Sequence, residues 1–536
     1  MKNILMDLRK EITVFLIPVI LLTACNFGNK KPGNKQQGVN AAHTDSGPAK
    51  KAVDIPALST EAYVSAIVSK RQAIAAQLPG INAETAAKLY RSLALYVDTA
   101  LAGISGNEAK WLDEYVNYYS EAKKAVVPPA KVQQRIQLLA TAGIEPWGIG
   151  EGYTELRIEP SFYTHLFKTS LPADYSMFLQ LQADEDTVLY SADAGLIVSF
   201  NLIGKRALNW EKFLDTHPNS IFVAEARELH ERYCYDYLFG EDNTPSFDHR
   251  DDLGSLYPEN KAEYLSFIQQ HGDTKTGRLV KQFLDKLSTA KTYDDLWRYM
   301  RTAIGTAYSG ELSLLPVQTD FLAGNIESLT KKVYDTVSTE IGIGGGAAEK
   351  IERNLDSILY FQQDNNTYCV AIFTNRGKSG GAPFSGWVDV WAFKKTDGHW
   401  QTAAYLLNAG GGGMYGNSGS FDKLIRIGTH TTGIVVSGGI THMGSSVSWD
   451  DMIAFQEEKL FPVMNIVTQN AYDAGNGIQK CSNNKWVLQH SGQQENYDLV
   501  IFPGSCMGGN TPLDRIMVPY KKGRYNIPAE FQDKGI

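Results

Sequence analysis

The clearest local structure in the sequence is encoded by Val390-Trp-Ala-Phe-Lys-Lys-Thr-Asp-Gly-His-Trp-Gln401. Asp397 and Gly398 separate two runs of alternating side chains, and this pair favours a two-residue turn in which both central residues have positive φ. The stretch therefore predicts a β-hairpin in which Lys395 faces Trp400. Counting outward from the turn, the same register places Phe393 opposite Thr402 and Trp391 opposite Ala404.

This register puts several aromatic side chains on one face of the predicted sheet, namely Trp387, Trp391, Phe393 and Trp400. The other face carries small and apolar residues: Val388, Val390, Ala392, Ala403, Tyr405 and Leu407. An aromatic face at the surface would resemble a platform for stacking glycans. Because both faces are apolar, the pattern favours burial of the aromatic residues in a core.

Further short runs separated by turn residues surround this hairpin and predict about ten strands. They are 357–362, 367–374, 387–395, 399–408, 423–429, 433–440, 459–467, 486–490, 497–503 and 515–520. The spacing is typical of an all-β meander, a sandwich or a partial propeller. Glycine supports the change of class, since 17 of the 48 glycines precede residue 301 and 31 follow it.

The preceding part of the chain has helical periodicity from about residue 58 to 290. Asn82 is a candidate N-cap, Pro128 and Pro129 end a helix, and further helices are predicted at 132–142, 223–238 and 277–287. The chain is therefore predicted to be a multidomain α + β protein. Its expected segments are 1–24, 25–57, an all-α domain at 58–290, a helical and glycine-rich connector at 291–350, and a β-rich domain at 351–536.

Residues 210–220 and 264–274 match each other position by position. Each copy reads as the end of an amphipathic helix, a turn, and then Ser220 or Thr274 as the N-cap of another helix. His217 and His271 occupy the matched turns and are interpreted as helix C-terminal residues. Residues 210–287 thus resemble the helix-turn-helix unit of tetratricopeptide-like repeats, a resemblance that implies a scaffold for peptides or partner proteins.

The N-terminus has a basic head with Lys2, Arg9 and Lys10 and an apolar run over 12–24. A run of 13 residues is too short to cross a bilayer as a helix, which takes about 20, and its length matches a signal peptide. The run ends in Leu22-Thr23-Ala24-Cys25, which resembles the lipobox of bacterial lipoproteins. The resemblance implies cleavage before Cys25, attachment of diacylglycerol to its thiol and acylation such as palmitate, and an extracytoplasmic protein held to a membrane by lipid.

Residues 26–57 are rich in Asn, Gly, Gln, Lys and Pro, so a flexible tether between anchor and folded body is expected. Removing the signal's three basic and two acidic residues from totals of 51 and 59 leaves 48 against 57, a net charge of −9. Such an acidic chain without clustered Lys and Arg argues against nucleic acid as a partner.

Four cysteines follow Cys25 in an exported, oxidising setting, where disulfides are permitted. Cys481 and Cys506 lie in loop-like surroundings of the same region and are the favoured pair. Cys234 falls within a predicted helix and Cys369 within an apolar strand, and both are interpreted as buried free thiols. The spacing of a zinc site is absent from the sequence.

The glycine-rich segments at 408–420 and 439–446 are candidate ligand loops, with Tyr415 and His442 as candidate contact residues. The first segment is followed by a strand instead of a helix, which argues against a phosphate cradle. Adjacent acids such as Asp450 and Asp451 point to opposite faces of a strand and make no acid/base pair by adjacency. The sequence predicts neither a cofactor nor a metal.

No motif names a reaction, so a binding role is favoured over catalysis. The expected function is that of a membrane-anchored binding or assembly protein of the cell envelope. Its partner is expected to be an envelope protein or peptide, with a glycan as another option. The alternative is an exported hydrolase acting on envelope polymers or glycans, with its site in the two glycine-rich loops.

Overall fold

The computed structural model describes most of the chain after the predicted tether. The described residues are 58–308, 312–315, 317–337, 340–343, 347–378, 384–442, 444–473, 478–490, 495–504 and 515–532. Within them, helices dominate the N-terminal half and antiparallel strands dominate the C-terminal half, which curls into a half-barrel. The predicted α-then-β fold class is confirmed.

Eleven α-helices occur in the described residues. They are α1 Thr60–Gln77, α2 Ala83–Asp113, α3 Ala130–Thr141, α4 Phe162–Phe167, α5 Ala173–Glu185, α6 Phe200–Thr216, α7 Val223–Phe239, α8 Pro258–His271, α9 Lys275–Leu287, α10 Tyr293–Thr306 and α11 Ala323–Tyr334. Asn82 caps α2 as predicted, because its side chain accepts a hydrogen bond from the Thr85 amide at 2.9 Å. None of the described helices has the length and apolar character needed to cross a membrane.

The two matched sequence segments lie at the C-terminal ends of α6 and α8. His217 is the C-cap of α6 and His271 is the last residue of α8, so both histidines end helices as predicted. Their rings contact Phe213 at 5.4 Å and Phe267 at 5.0 Å between centroids. The following turns differ. Thr274 caps α9 through the Gly277 amide, whereas Ser220 lies before the N-cap Phe222 and donates its hydroxyl to Asp174. The prediction of a Ser220 N-cap is therefore wrong.

Four short two-stranded antiparallel sheets occur among the described residues of the helical half. They are β1 Tyr119–Ser120 with β2 Ala125–Val126, β3 Ile144–Gly150 with β4 Tyr153–Ile158, β5 Ser191–Ala192 with β6 Gly195–Leu196, and β7 Gly240–Glu241 with β8 Thr244–Pro245. They join helices without forming a layer of their own.

The described residues of the C-terminal half form three antiparallel sheets, and apart from the short strand Ser313–Leu315, which pairs with Ala347–Gln363, consecutive strands within each sheet are neighbours, as in the predicted meander. Sheet 1 contains β9 Ser313–Leu315, β10 Glu340–Ile343, β11 Ala347–Gln363, β12 Asn366–Gly377, β13 Trp387–Thr396 and β14 His399–Gly410. Sheet 2 contains β15 Ser420–Gly428, β16 Thr431–His442, β17 Ser445–Gln456, β18 Lys459–Asp473 and β19 Ile478–Asn483. Sheet 3 contains β20 Lys485–Gln489, β21 Asp498–Phe502 and β22 Ile516–Val518, and a last hairpin pairs β23 Tyr520–Lys521 with β24 Arg524–Tyr525.

Apolar cores join these layers face to face. One core lies between sheets 1 and 2 and includes Val370, Val390 and Ile434. A second lies between sheets 2 and 3, and a third buries the outer face of sheet 1 beneath α11 and the segment before it. The helical core also contains Val487, Val500 and Phe502 of sheet 3, so the two halves share buried apolar surface.

The hairpin at Asp397-Gly398 forms as predicted near its turn, where Lys395 pairs with Trp400 and Phe393 pairs with Thr402. Beyond these pairs a β-bulge at Ala403 shifts the register by one residue, and Trp391 faces Tyr405 instead of Ala404. An extra residue on one strand reverses the faces of all residues that follow it. Tyr405 therefore stacks on Trp391 at 4.6 Å.

The predicted burial of the aromatic face is confirmed. Trp391 and Phe393 are fully buried, and Phe321 stacks on Trp400 at 4.5 Å. Because of the bulge, Ala404 and Leu406 join the core between sheets 1 and 2. The placement of Tyr405 and Leu407 on the face opposite the tryptophans is wrong for the same reason, since Tyr405 stacks on Trp391 and Leu407 packs beneath α11. Ala403 is the unpaired residue of the bulge.

Candidate functional site

A cleft of about 700 Å³ lies where the helical half meets sheet 2. Its walls come from α7, α10 and the start of β15, elements that are far apart in sequence. Four half-buried charged residues form its floor: Glu231, Arg301, Asp422 and Lys423. Arg250 and Asp294 lie at its exposed rim.

The Lys423 ammonium group lies between two carboxylates on the floor. Its Nζ atom is 3.9 Å from Glu231 Oε2 and 3.9 Å from Asp422 Oδ2. Arg301 Nη2 approaches the other oxygen of Asp422 at 2.5 Å. The floor is therefore a chain of alternating charges that crosses from α7 through β15 to α10.

Close packing of α10 on β15 produces this arrangement. Gly305 of α10 lies directly against the Lys423 stem, and a Cβ atom at this position would be 2.7 Å from Lys423 Cδ. The absence of a side chain at Gly305 leaves the space in which the lysine extends between its two carboxylates.

Burial changes the proton affinities of the floor. Desolvation is the main cause that raises the pKa of the Glu231 carboxyl, although Lys423 opposes this rise. Burial disfavours the charged form of Lys423, but attraction to Glu231 and Asp422 outweighs it and raises the pKa of the ammonium group.

Aromatic side chains line the remaining walls, namely Tyr235, Phe239, Tyr293 and Trp297. The Arg301 guanidinium lies 5.1 Å from the centre of the Trp297 ring, and Arg250 lies 5.8 Å from Tyr293. These cation–π contacts hold the flat rings beside the charged groups.

A smaller cavity of about 290 Å³ adjoins the cleft and shares Glu231, Asp422 and Lys423 with it. Arg227 lines this cavity and donates to the carbonyl oxygens of Tyr308 and Leu488 at 3.3 and 3.4 Å. Burial lowers the pKa of Arg227 to about 10. These contacts tie α7 to sheet 3 and fix one end of the cleft.

A second buried polar network lies within sheet 1. The Asp389 carboxylate is 1% exposed and accepts hydrogen bonds from Tyr334, Asn375, Trp387 and the Asn408 amide at 2.8 to 3.1 Å. With these four donors satisfying the carboxylate, the network links β12, β13 and β14 to α11, which indicates a structural role.

The two predicted ligand loops meet in the structure. The Gly439 amide donates to the Gly412 carbonyl at 3.1 Å, where Gly413 and Gly439 form a parallel bridge. Tyr415 is an exposed loop residue with φ +58°. His442 is the last residue of β16 and pairs with Ser445, so its backbone ends a strand instead of lying within a loop. Ligand contact by either residue stays a prediction.

Amides of the first glycine-rich loop are already used by the protein. The Gly411 amide donates to Asp451 Oδ2 at 2.9 Å, and the Gly413 amide donates to Ser385 Oγ at 3.1 Å. An anion cradle needs such amides to face a ligand. Their internal bonds agree with the interpretation of this segment as an inter-strand loop.

The cysteines follow the sequence expectations where the structure describes them. Cys234 and Cys369 are buried free thiols, and burial raises the pKa of both. Cys481 lies on β19 and is disulfide-bonded. Cys506 and Cys25 lie outside the described residues, so the Cys481–Cys506 pairing and the lipidation of Cys25 stay predictions.

The cleft residues were not among the sequence candidates, because Glu231, Arg301 and Asp422 belong to three separate elements without a shared motif. Among the described residues no group of three His, Cys, Asp or Glu side chains has the arrangement of a metal site. Comparison of the chain with protein-family models, curated proteins and solved structures gives no match in any of the three.

Proposed function

We propose that this chain is a membrane-anchored binding protein of the cell envelope and that its ligand occupies the cleft between the helical half and sheet 2. The observation that carries the proposal is the composition of that cleft. Its floor is built by both halves of the chain, and aromatic rings line it beside paired charges. A concave site with a few convergent polar groups is the usual form of a ligand site.

The lining favours a glycan as the ligand. Every charged group of the lining has an opposite charge within 4 Å: Glu231 and Asp422 with Lys423, Arg301 with Asp422, Arg250 with Asp242, and Asp294 with Arg298. A ligand with its own net charge would have to compete with these pairs. A neutral sugar chain stacks its C–H faces on Trp297 and Tyr293 and hydrogen-bonds to oxygens and N–H groups that remain free on the paired ions.

A binding assay with a Trp297→Ala variant tests this proposal. The Cys25→Ser form of the chain would be applied to an array of bacterial envelope glycans and to a matched array of envelope-derived peptides. We expect glycan binding that weakens about tenfold in Trp297→Ala, since an aromatic contact contributes roughly 0.5–1.5 kcal/mol beyond its buried area.

Trp147→Ala is the matched control, because Trp147 also stacks with an arginine, Arg157 at 3.3 Å, but lies on β3 away from the cleft lining. Binding that both variants weaken equally would contradict the cleft as the site. If the chain binds peptides but no glycans, the proposal of a binding function would stand and the proposal of a glycan ligand would be rejected.

The membrane anchor is tested by itself. Cys25→Ser should move the protein from the membrane fraction to the soluble fraction of cells, because the thiol is the predicted point of lipid attachment. Unchanged membrane retention of this variant would reject the lipoprotein prediction.

A second candidate function, hydrolysis of envelope glycans, is favoured by Glu231 and Asp422. Both carboxyl groups face one cleft and lie within 4 Å of the Lys423 ammonium group, and paired carboxyl groups are the residue type used for general acid and base roles. Glu231 has the raised pKa expected of the acid, and Asp422 is held by Arg301. Glu228 of α7 is the control, because its exposed carboxylate pairs with Lys485 and it does not line the cleft. Loss of glycan cleavage in both Glu231→Gln and Asp422→Asn, with activity retained in Glu228→Gln, would establish catalysis. The absence of any cleavage by the wild type would reject it.

A further inference from the structure

The hairpin formed by β1 and β2 exposes apolar side chains that nothing in the described structure covers. Tyr119 and Val126 are paired across the hairpin and share a face. Val127 follows with its amide bonded to the Tyr118 carbonyl, and Val116 precedes the hairpin. These four side chains are between 37% and 49% exposed. An exposed apolar cluster of this kind on a soluble body marks a contact surface.

A neighbouring hairpin extends this surface. Tyr153 at the start of β4 is 65% exposed, and a Cβ atom on the adjacent Gly152 would lie 3.9 Å from Val116. The turn between β1 and β2 adds positive charge. Lys123 and Lys124 of the turn are exposed beside a single acid of the turn, Glu121. Glu114, which precedes the hairpin, accepts a hydrogen bond from the Tyr118 hydroxyl at 3.1 Å.

The surface lies near the point where the predicted tether enters the folded body. The Leu58 carbonyl accepts a hydrogen bond from the Asn107 side chain of α2 at 2.9 Å, and Leu58 is itself exposed. α2 ends six residues later at Asp113, about 9 Å along the helix axis, and leads directly into the hairpin. Leu58, the first described residue, and the hairpin therefore lie near the same end of α2.

We propose that this hairpin rests on the membrane that carries the lipid anchor, with tyrosine and valine side chains at the interface and Lys123 and Lys124 on anionic headgroups. Tyrosine is favoured at membrane–water interfaces, and lysines near the surface attract anionic lipids. The inference rests on the proposed anchor at Cys25. The tether predicted from the sequence has 32 residues, 26–57, and a flexible chain of that length would span about 30 Å on average, which would keep the hairpin close to the bilayer.

Vesicle binding by the unlipidated Cys25→Ser chain tests the hairpin without the anchor. Vesicles of phosphatidylethanolamine with phosphatidylglycerol would be compared with vesicles of phosphatidylcholine alone. We expect measurable binding to the anionic vesicles only. It should fall at least about tenfold when Lys123→Glu and Lys124→Glu are combined, and it should also fall when Tyr119→Ser and Val126→Ser are combined.

The matched control is the double change Lys331→Glu and Lys332→Glu, an exposed lysine pair on α11, which should leave binding unchanged. Failure of the wild-type chain to bind anionic vesicles, or an equal loss in the control, would overturn the inference. The inference would also be overturned if the chain forms a dimer without vesicles and the Tyr119 and Val126 changes dissociate that dimer, because the surface would then bind a second copy of the chain. Fractionation of the Cys25→Ser chain from cells in high salt, which screens the attraction of the lysines to headgroups but leaves a lipid anchor in place, reports on the anchor separately.

Discussion

Glu225 offers a direct measurement of how burial at the junction affects stability. It lies in the first turn of α7, the helix that contacts β20 of sheet 3. Desolvation raises the pKa of its carboxyl from 4.5 to about 7, against the attraction of Lys485. The folded state thus binds the proton more tightly than the unfolded state. Ionisation therefore costs folding free energy as the pH rises from about 4.5 through about 7, and the cost is constant above that range.

The magnitude follows from that difference in pKa. A rise from 4.5 to about 7 corresponds to roughly 3 kcal/mol, and screening of this partly exposed side chain reduces it to about 2 kcal/mol. Glu225→Gln removes the ionisable group. We expect the variant to be about 2 kcal/mol more stable than the wild type at pH 8 and nearly equal to it at pH 4. Urea denaturation of both proteins at several pH values measures the difference.

Glu84→Gln is the matched control, since Glu84 also lies in the first turn of a helix, α2, but is exposed. Both substitutions lose the same interaction with the helix dipole. A hydrogen bond from Lys88 lowers the pKa of Glu84, so the control should lose stability at neutral pH instead of gaining it. A gain in Glu225→Gln that does not vary with pH, or a loss at pH 8, would refute burial as the cause.

Two further predictions concern packing and the buried network. Gly106→Ala should stabilise the chain by up to about 1 kcal/mol, because open space surrounds this position on α2, whereas Gly103→Ala should destabilise it by roughly 1–2 kcal/mol, because its Cβ atom would lie 2.7 Å from the Tyr63 ring. Thermal unfolding of the two variants measures both effects, and equal effects would contradict the packing described for α2. Asp389→Asn should lower the free energy of unfolding by about 3 kcal/mol, because an amide nitrogen replaces an oxygen that accepts hydrogen bonds from buried donors. Unfolding followed by near-ultraviolet circular dichroism measures the loss, and unchanged stability would show that the network is not needed for the fold.

The sequence predicts elements well where local rules act alone. The Asp397-Gly398 turn, the pairing of Lys395 with Trp400, and the cap at Asn82 depend on residues within a few positions of each other. The prediction fails at Ala403, where the bulge shifts the register. The extra residue in β14 is compatible with packing that the local sequence does not reveal, such as the stacking of Tyr405 on Trp391.

Strand β17 was missed for a related reason. Asp450 and Asp451 stand in its middle and interrupt the apolar alternation that identifies a strand. In the fold they point to opposite faces, as expected for neighbours on a strand. Asp450 accepts from Trp486 at 2.8 Å on one side, while Asp451 accepts from the Gly411 amide at 2.9 Å on the other. These donors come from other strands and loops, so the local sequence does not reveal them.

The cleft shows the limit of local reasoning most clearly, since its floor exists only when α10 lies on β15. Glu231 and Asp422 are nearly 200 positions apart, and neither belongs to a motif. The Lys423 ammonium group lies between the two carboxylates, and the lysine has space there because Gly305 has no side chain. The helical half supplies one carboxylate and the guanidinium of Arg301, and the β half supplies the other carboxylate and the ammonium group. Both halves therefore supply floor residues of the cleft, and any change in the packing of α10 on β15 alters the shape and charge of the site.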